Sequence, residues 1–325
     1  MDSIGVFALL SGLMGCSGGG DSGETGLEDV FSVMSEQIPN AMLLSAHSDG
    51  DEAIIVGGEL HGGSGSIVRY DGSRICLEAD VTEEPLWWIH GASEGEWYAV
   101  GAEGTVLHEV AGERSREDLD TEATLFGVYQ NDDGVVYAVG GDAIENTGVI
   151  YKRVEGVWSL FAEDLPGTVF KVWRSWFVGV GFSLRLVEGS LIDVPLPGSE
   201  TLTTIRGRDE DNDVWAVGGV SGVLHFDGTA WERVENPFGA PINGVYTEPD
   251  GDVWITGAFG TAAVLREAGW EYSDYPITGE HFHAVWLHKG EPLFLGGNFY
   301  STAESYGLIA RYGAEAPALP AEVCQ

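Results

Sequence analysis

The chain has 325 residues, 44% of them hydrophobic, and a formal charge of −37 from 52 acidic against 15 basic residues. Phosphate backbones are held by clustered Lys and Arg, so this balance excludes nucleic acid as a partner and disfavours an anionic lipid surface. The 48 glycines follow no collagen-like period and act as turn punctuation in a chain large enough to bury a sizeable core.

The N-terminus reads as an address. Ile4 to Gly15 is an apolar run of 12 residues. That is too short to span a bilayer and suits the apolar region of a signal peptide. The run ends in Leu13-Met14-Gly15-Cys16, which resembles the bacterial lipobox. The resemblance implies a signal peptide over residues 1–15, cleavage before Cys16 and a diacylglycerol on its thiol. A lipidated cysteine and flexible Gly/Ser tether then occupy 16–27. Ser17 stands where an aspartate would signal inner-membrane retention, which implies the outer membrane or cell surface. Simple secretion is the alternative.

From residue 28 to 325 the chain is periodic. A glycine that closes a short strand recurs at Gly57, Gly101, Gly140, Gly179, Gly218, Gly257 and Gly296, in steps of 44, 39, 39, 39, 39 and 39 residues. The strands before them read AIIV, WYAV, VYAV, WFV, VWAV, VWIT and PLFL. Self-similarity at this period predicts an all-β, seven-bladed β-propeller built of four-stranded antiparallel blades.

The fifth repeat gives the template. Thr204 to Gly207 is an inner strand, Asp209 to Asp213 a polar hairpin tip, and Val214 to Val217 the second strand. Val223 to Phe226 is the third, Asp227-Gly228 a tight turn, and Trp231 to Val234 the outer strand. Repeats three and six follow closely, while repeat four shortens its first hairpin to Arg174-Ser175. Trp97, Trp215 and Trp254 in second strands, and Trp158, Trp231 and Trp270 in outer strands, are expected to pack between blades.

The seventh repeat lacks a recognisable outer strand after Leu308 to Tyr312, whereas Asp29 to Met34 matches one. The N-terminal segment is therefore expected to complete the last blade and cover its edge. With Cys16 acylated, Cys76 and Cys324 remain. Cys76 reads as the counterpart of Trp231 in blade one, and Cys324 lies just beyond blade seven, its ring neighbour. A disulfide there would lock the closure in an oxidising compartment; two free thiols are the alternative.

Glycine doublets at 57–58, 140–141, 218–219 and 296–297, with a later Tyr or Phe and, after 140–141 and 218–219, an outer-strand Trp, resemble Kelch repeats. The best match is VYAVGG at 136–141 with Tyr151 and Trp158. Asp-Gly-x-x-Trp at 227–231 is similar to a reduced Asp-box (BNR) repeat. The resemblance implies propeller architecture over about 290 residues rather than one activity.

Candidate function lies on the loops joining second to third strands and blade to blade, where ligands of the class usually bind. Three such loops are enlarged: Gly58 to Gly65, Gly141 to Thr147 and Gly297 to Tyr306. With the connector Thr278 to His283 they gather Glu59, His61, Glu280, His281, His283, Asn298, Tyr300 and Tyr306 in one sector. Histidines with carboxylates suit Zn²⁺ or Cu²⁺, and the acidic hairpin tips suit either Ca²⁺ or turn chemistry alone. The sequence requires no cofactor. It holds no nucleophile elbow, phosphate loop or dinucleotide fingerprint, and Arg174, Arg206 and Arg208 lack the spread of a sialidase triad. The expected protein is a monomeric lipid-anchored extracytoplasmic module, touching the bilayer through its acyl anchor only and binding a protein or glycan without catalysis. A propeller hydrolase or lyase acting on extracellular carbohydrate, and an envelope-assembly scaffold, are the alternatives.

Overall fold

The computed structural model describes residues 31–60, 63–249, 251–273, 276–299, 305–313 and 318–324. They form seven antiparallel sheets arranged as a seven-bladed propeller. The inner strands are Met42–Asp49, Leu86–Ser93, Thr124–Gln130, Val169–Trp173, Thr204–Asp209, Ile242–Thr247 and His281–His288. Blades two to six each run outward in simple order through four strands. Blade seven takes its outer strand from the other end of the chain: Phe31–Pro39 pairs antiparallel with Tyr306–Tyr312. The ring is thus closed by an N-terminal strand.

The recurring glycine has a steric cause. Gly57, Gly101, Gly140, Gly179, Gly218, Gly257 and Gly296 each lie against a carbonyl at the start of their own blade, that of Met42, Pro85, Thr124, Thr168, Thr201, Pro241 or His281. A Cβ would stand 1.7–2.4 Å from that oxygen. The close approach accompanies a β-bulge, which sets two inner-strand residues against one partner. The extra residues are Leu44, Trp87, Phe126, Phe170, Asn243 and His283. Thr203 takes the corresponding place in blade five, its N–H bonded to Val217 O at 2.8 Å.

Apolar faces meet blade against blade. Trp97, Trp176, Tyr70, Phe177 and Phe294 are among the largest fully buried side chains, and Trp215, Trp231 and Trp254 are buried as well. Between blades four and five, Trp176 sits edge-on to Trp231 with centroids 5.4 Å apart. His108 and His225 belong to this framework. His108 stacks on Tyr98 at 4.0 Å and is bonded to Glu96 and Glu117, while His225 stacks on Trp215 and is bonded to Asp213.

Two features of the closure depart from expectation. Ala321–Val323 adds a fifth strand to blade one, parallel to its outer strand Ile75–Thr82. A three-residue parallel strand carries no periodic pattern a sequence reading could find. Pairing also makes Ile75 the counterpart of Trp231, because Tyr70 faces Ile75 as Phe226 faces Trp231. Cys76 is one residue later, and strand side chains alternate. Ile75 therefore enters the core, and Cys76 points to the opposite face of the sheet. There it is disulfide-bonded to Cys324, with Cα atoms 4.9 Å apart.

Gly140→Ala, with its Cβ 2.0 Å from Thr124 O, is expected to lower the free energy of unfolding by about 1–3 kcal/mol. Gly279→Ala, which meets nothing within 4 Å, should stay within about 0.5 kcal/mol. Urea titration of the two variants compares them directly. Cys324→Ser opens a loop of 248 residues and should cost up to about 5 kcal/mol on the chain-entropy account. Intact mass after alkylation without reductant should show neither Cys76 nor Cys324 modified. Two alkylated thiols at these positions would contradict the bridge.

Candidate functional site

Among the residues singled out from sequence, Cys16, His61 and Tyr300 lie outside the described residues. Glu280 and Tyr306 are brought together. The Tyr306 hydroxyl donates to Glu280 Oε1 at 2.5 Å, and this bond, with some burial, raises the phenol to about 12. Asn298 holds the base of the same loop, accepting from Tyr306 N at 2.8 Å. Glu59 anchors the blade-one loop through its backbone, which pairs with Ser64 and Gly63.

His281 and His283 turn into the protein rather than toward this surface. His281 is 6% exposed and its ring lies 4.8 Å from that of Phe259. His283 is 2% exposed and donates from Nδ1 to Leu44 O at 2.6 Å. Its ring stacks on Phe299 and meets Trp87 edge-on. Burial lowers His281, and it takes His283 down to about 3, so both imidazoles are neutral at pH 7. Among the described residues no three His, Cys, Asp or Glu side chains form a metal-binding group.

His283 belongs instead to the axis of the ring. The bulged residues Leu44, Trp87, Phe126 and Phe170 cluster there with Leu60 and Phe299, which descend from the enlarged loops of blades one and seven. Trp87 and Phe126 meet edge-on at 5.1 Å, as do Phe126 and Phe170. The enlarged loops thus plug the channel at the loop face.

A bulge frees backbone groups, and polar side chains of adjacent blades take them up. Thr203 donates to Asn243 O at 3.1 Å, Asn243 to Phe282 O at 2.8 Å, and His283 to Leu44 O. Lys171 donates to Phe126 O at 2.5 Å and lies over the Trp88 ring at 4.1 Å.

Three residues beyond each bulge comes a second ring: His47, His90, Tyr129, Trp173, Arg206, Tyr246 and Trp286. The bulge aligns His47 with Trp286, 5.9 Å away. His288 is bonded to Ser48 between blades seven and one. Arg206 crosses the channel, its guanidinium carbon 4.9 Å from the Trp286 ring centre and 6.0 Å from those of Tyr246 and Trp88. Burial lowers the guanidinium and pushes Lys171 well below the ordinary lysine range. Burial takes His47 to about 4, and His90, which accepts from Gln130 N, well below its ordinary value.

A separate cleft of about 230 Å³ opens on the loop face between blades five and six. Phe238, Phe259, Thr261, Tyr272 and Pro276 line it. Phe238 meets Tyr272 edge-on at 5.2 Å, and Phe259 is 54% exposed at φ +55°. A bulky residue in the left-handed region is strained, and such outliers cluster at functional sites. The reading from sequence placed nothing here, because a lone Phe before Gly260 in a short loop carries no signal.

No family profile and no curated protein matches the chain. Its likeness is to solved propellers. The structure titled "YCF48 bound to D1 peptide" is 15% identical with a TM-score of 0.66, covering 88% of this chain and 98% of that one. YCF48 from Cyanidioschyzon merolae is 16% identical with a TM-score of 0.63, at coverages of 87% and 98%. The extracellular domain of a putative hybrid two-component system from B. thetaiotaomicron is 13% identical with a TM-score of 0.66, at coverages of 89% and 40%. Identities this low show the fold alone.

The histidines that burial lowers, His47, His90, His281, His283 and His288, set an acid response. Neutral in the folded chain, they take a proton near pH 6.5 once unfolded. Below that pH the unfolded state binds more protons, so stability falls as pH drops, until His283 itself charges near pH 3. For His283 the loss should reach about 2 kcal/mol at pH 5. Glu117 is held below the usual carboxylate range by Arg153, His108 and Trp158 against the opposing effect of burial, and carboxylates of this kind add their loss only below about pH 4.5. Urea midpoints at pH 7.5 and 5 should therefore converge in His283→Gln relative to the parent protein. Equal pH dependence in both would refute the assignment.

Proposed function

We propose that the protein is a lipid-anchored, extracytoplasmic propeller that binds a protein or glycan without catalysis, and that the cleft between blades five and six is its recognition site. The observation that carries this reading is Phe259, an exposed aromatic ring held in a strained conformation at the lip of a 230 Å³ cleft. Aromatic rings give large contact area at small entropic cost, which suits both peptide and sugar faces. Reach from the membrane would come from the Cys16 anchor and the tether over 16–27. Support for an oxidising compartment comes from the Cys76–Cys324 bridge across the ring closure. A similar propeller is titled as bound to a peptide, which makes an extended peptide the first ligand class to test.

The informative experiment is affinity capture from native envelopes with the lipidated protein and with Phe259→Gly. Glycine relieves the positive φ, so the variant should be as stable as the parent or slightly more so, by up to about 1 kcal/mol. Capture of the specific partner should nevertheless fall about tenfold or more. Unchanged capture by a folded Phe259→Gly would remove the cleft from consideration while leaving other faces open to the same assay.

A further inference from the structure

Among the described residues Arg206 has no carboxylate within 4.0 Å, in a chain with a large excess of acid. Every other Lys or Arg except Lys152, Lys171 and Arg174 has a carboxylate within 4.0 Å. Arg174 is exposed and Lys152 partly so. Arg206 and Lys171 lie inside the channel, both beside the indole of Trp88.

A guanidinium stays charged in a protein, so burial demands acceptors for its N–H groups. Aromatic rings lie around Arg206, but Nη2 is shut off from solvent and has no hydrogen-bond partner. The acidic groups acting on it are the phenols of Tyr246 and Tyr129. Asp49, farther along the blade-one inner strand, is committed to Gly95 N at 2.6 Å.

Beside Arg206 is a cavity of about 10 Å³, lined by Ser45, Trp88, Thr204, Val245 and Trp286 among others. That volume holds one water-sized sphere. Ser45 accepts from Ile89 N and keeps its own hydroxyl hydrogen to donate, whereas Thr204 already donates to Asn243 O. The site therefore presents an unsatisfied cationic N–H and a hydroxyl donor, with indole walls and no carboxylate. Arg206, Tyr129, Tyr246 and Trp286 are only partly buried, which leaves a route from the hairpin-tip mouth.

We propose that this cavity binds one halide ion, chloride under ordinary conditions, between Arg206 Nη2 and the Ser45 hydroxyl. A monatomic ion is the only common anion near this size; it replaces the missing counter-charge and is weakly enough hydrated to enter an aromatic-walled site. The site is independent of the loop-face cleft and of any partner bound there.

Thermal unfolding in sodium chloride against sodium methanesulfonate, whose anion exceeds the cavity, tests this at equal ionic strength. The parent protein should gain several degrees in chloride, saturating with concentration as ligand binding to the folded state requires. Arg206→Met should show no difference between the salts. Crystals of the parent protein soaked in bromide should show an anomalous peak within about 3.5 Å of Arg206 Nη2, a result that does not depend on any variant folding. Equal melting in both salts, or bromide at the surface but absent from the channel, overturns the proposal.

Discussion

The fold rests on one close backbone approach made seven times. At the end of each second strand the chain passes so near the first carbonyl of its own blade that no Cβ fits between them. Only glycine permits it, and the inner strand answers with a bulge that tightens its twist. Repetition of that contact fixes where each blade begins, how its inner strand leans on the axis, and which residues face the channel. The sequence period is the one-dimensional trace of this steric contact.

A bulge leaves carbonyls unpaired where water is scarce. Thr203, Asn243, His283 and Lys171 reach to adjacent blades and take them up. These bonds tie neighbouring blades at the axis, while the N-terminal strand and the Cys76–Cys324 bridge tie the ring at its rim. His281 and His283 of the enlarged-loop sector fall to packing and to this task, which explains their burial. Glu280 and Tyr306, partly exposed and mutually bonded, stay at the surface of the loop they organise.

The ring, its blade count and its strand exchange were legible because each depends on a feature with period or position: a glycine every 39 residues, a missing last strand, an orphan first one. The axis was not. Period-two alternation assigns inward positions at i and i+2, but the bulge inserts a residue, so the axial layers recur at i and i+3, as in Leu44 and His47 or Thr203 and Arg206. A frame built on alternation therefore misses the second axial layer, to which His47 and Arg206 belong. In the outer strand of blade one the place of Trp231 is filled by Ile75, four residues after Asp71 as Trp231 is after Asp227, and not by Cys76. The cleft between blades five and six was hidden for another reason. It is made by side chains from three separate loops, and only the closed ring puts Phe238, Phe259 and Tyr272 together.

Closure of the channel at one face then divides the molecule by chemistry. Leu60 and Phe299 insert from the enlarged loops of blades one and seven, so those loops support the axial plug. Small polar ligands entering the axis must come from the hairpin-tip side, past a rim that includes Arg206 and Tyr246. Larger ligands meet the loop face, where the described aromatic opening lies away from the axis at blades five and six. The negative surface keeps anions dilute near the protein in general, yet the axis holds Lys171 and Arg206, which among the described residues have no carboxylate within 4.0 Å. An anion reaching Arg206 would give Nη2, shut off from solvent, the partner it lacks among the described residues. Axial charge and ring stability are thereby coupled, and the loop-face cleft stays structurally separate from both.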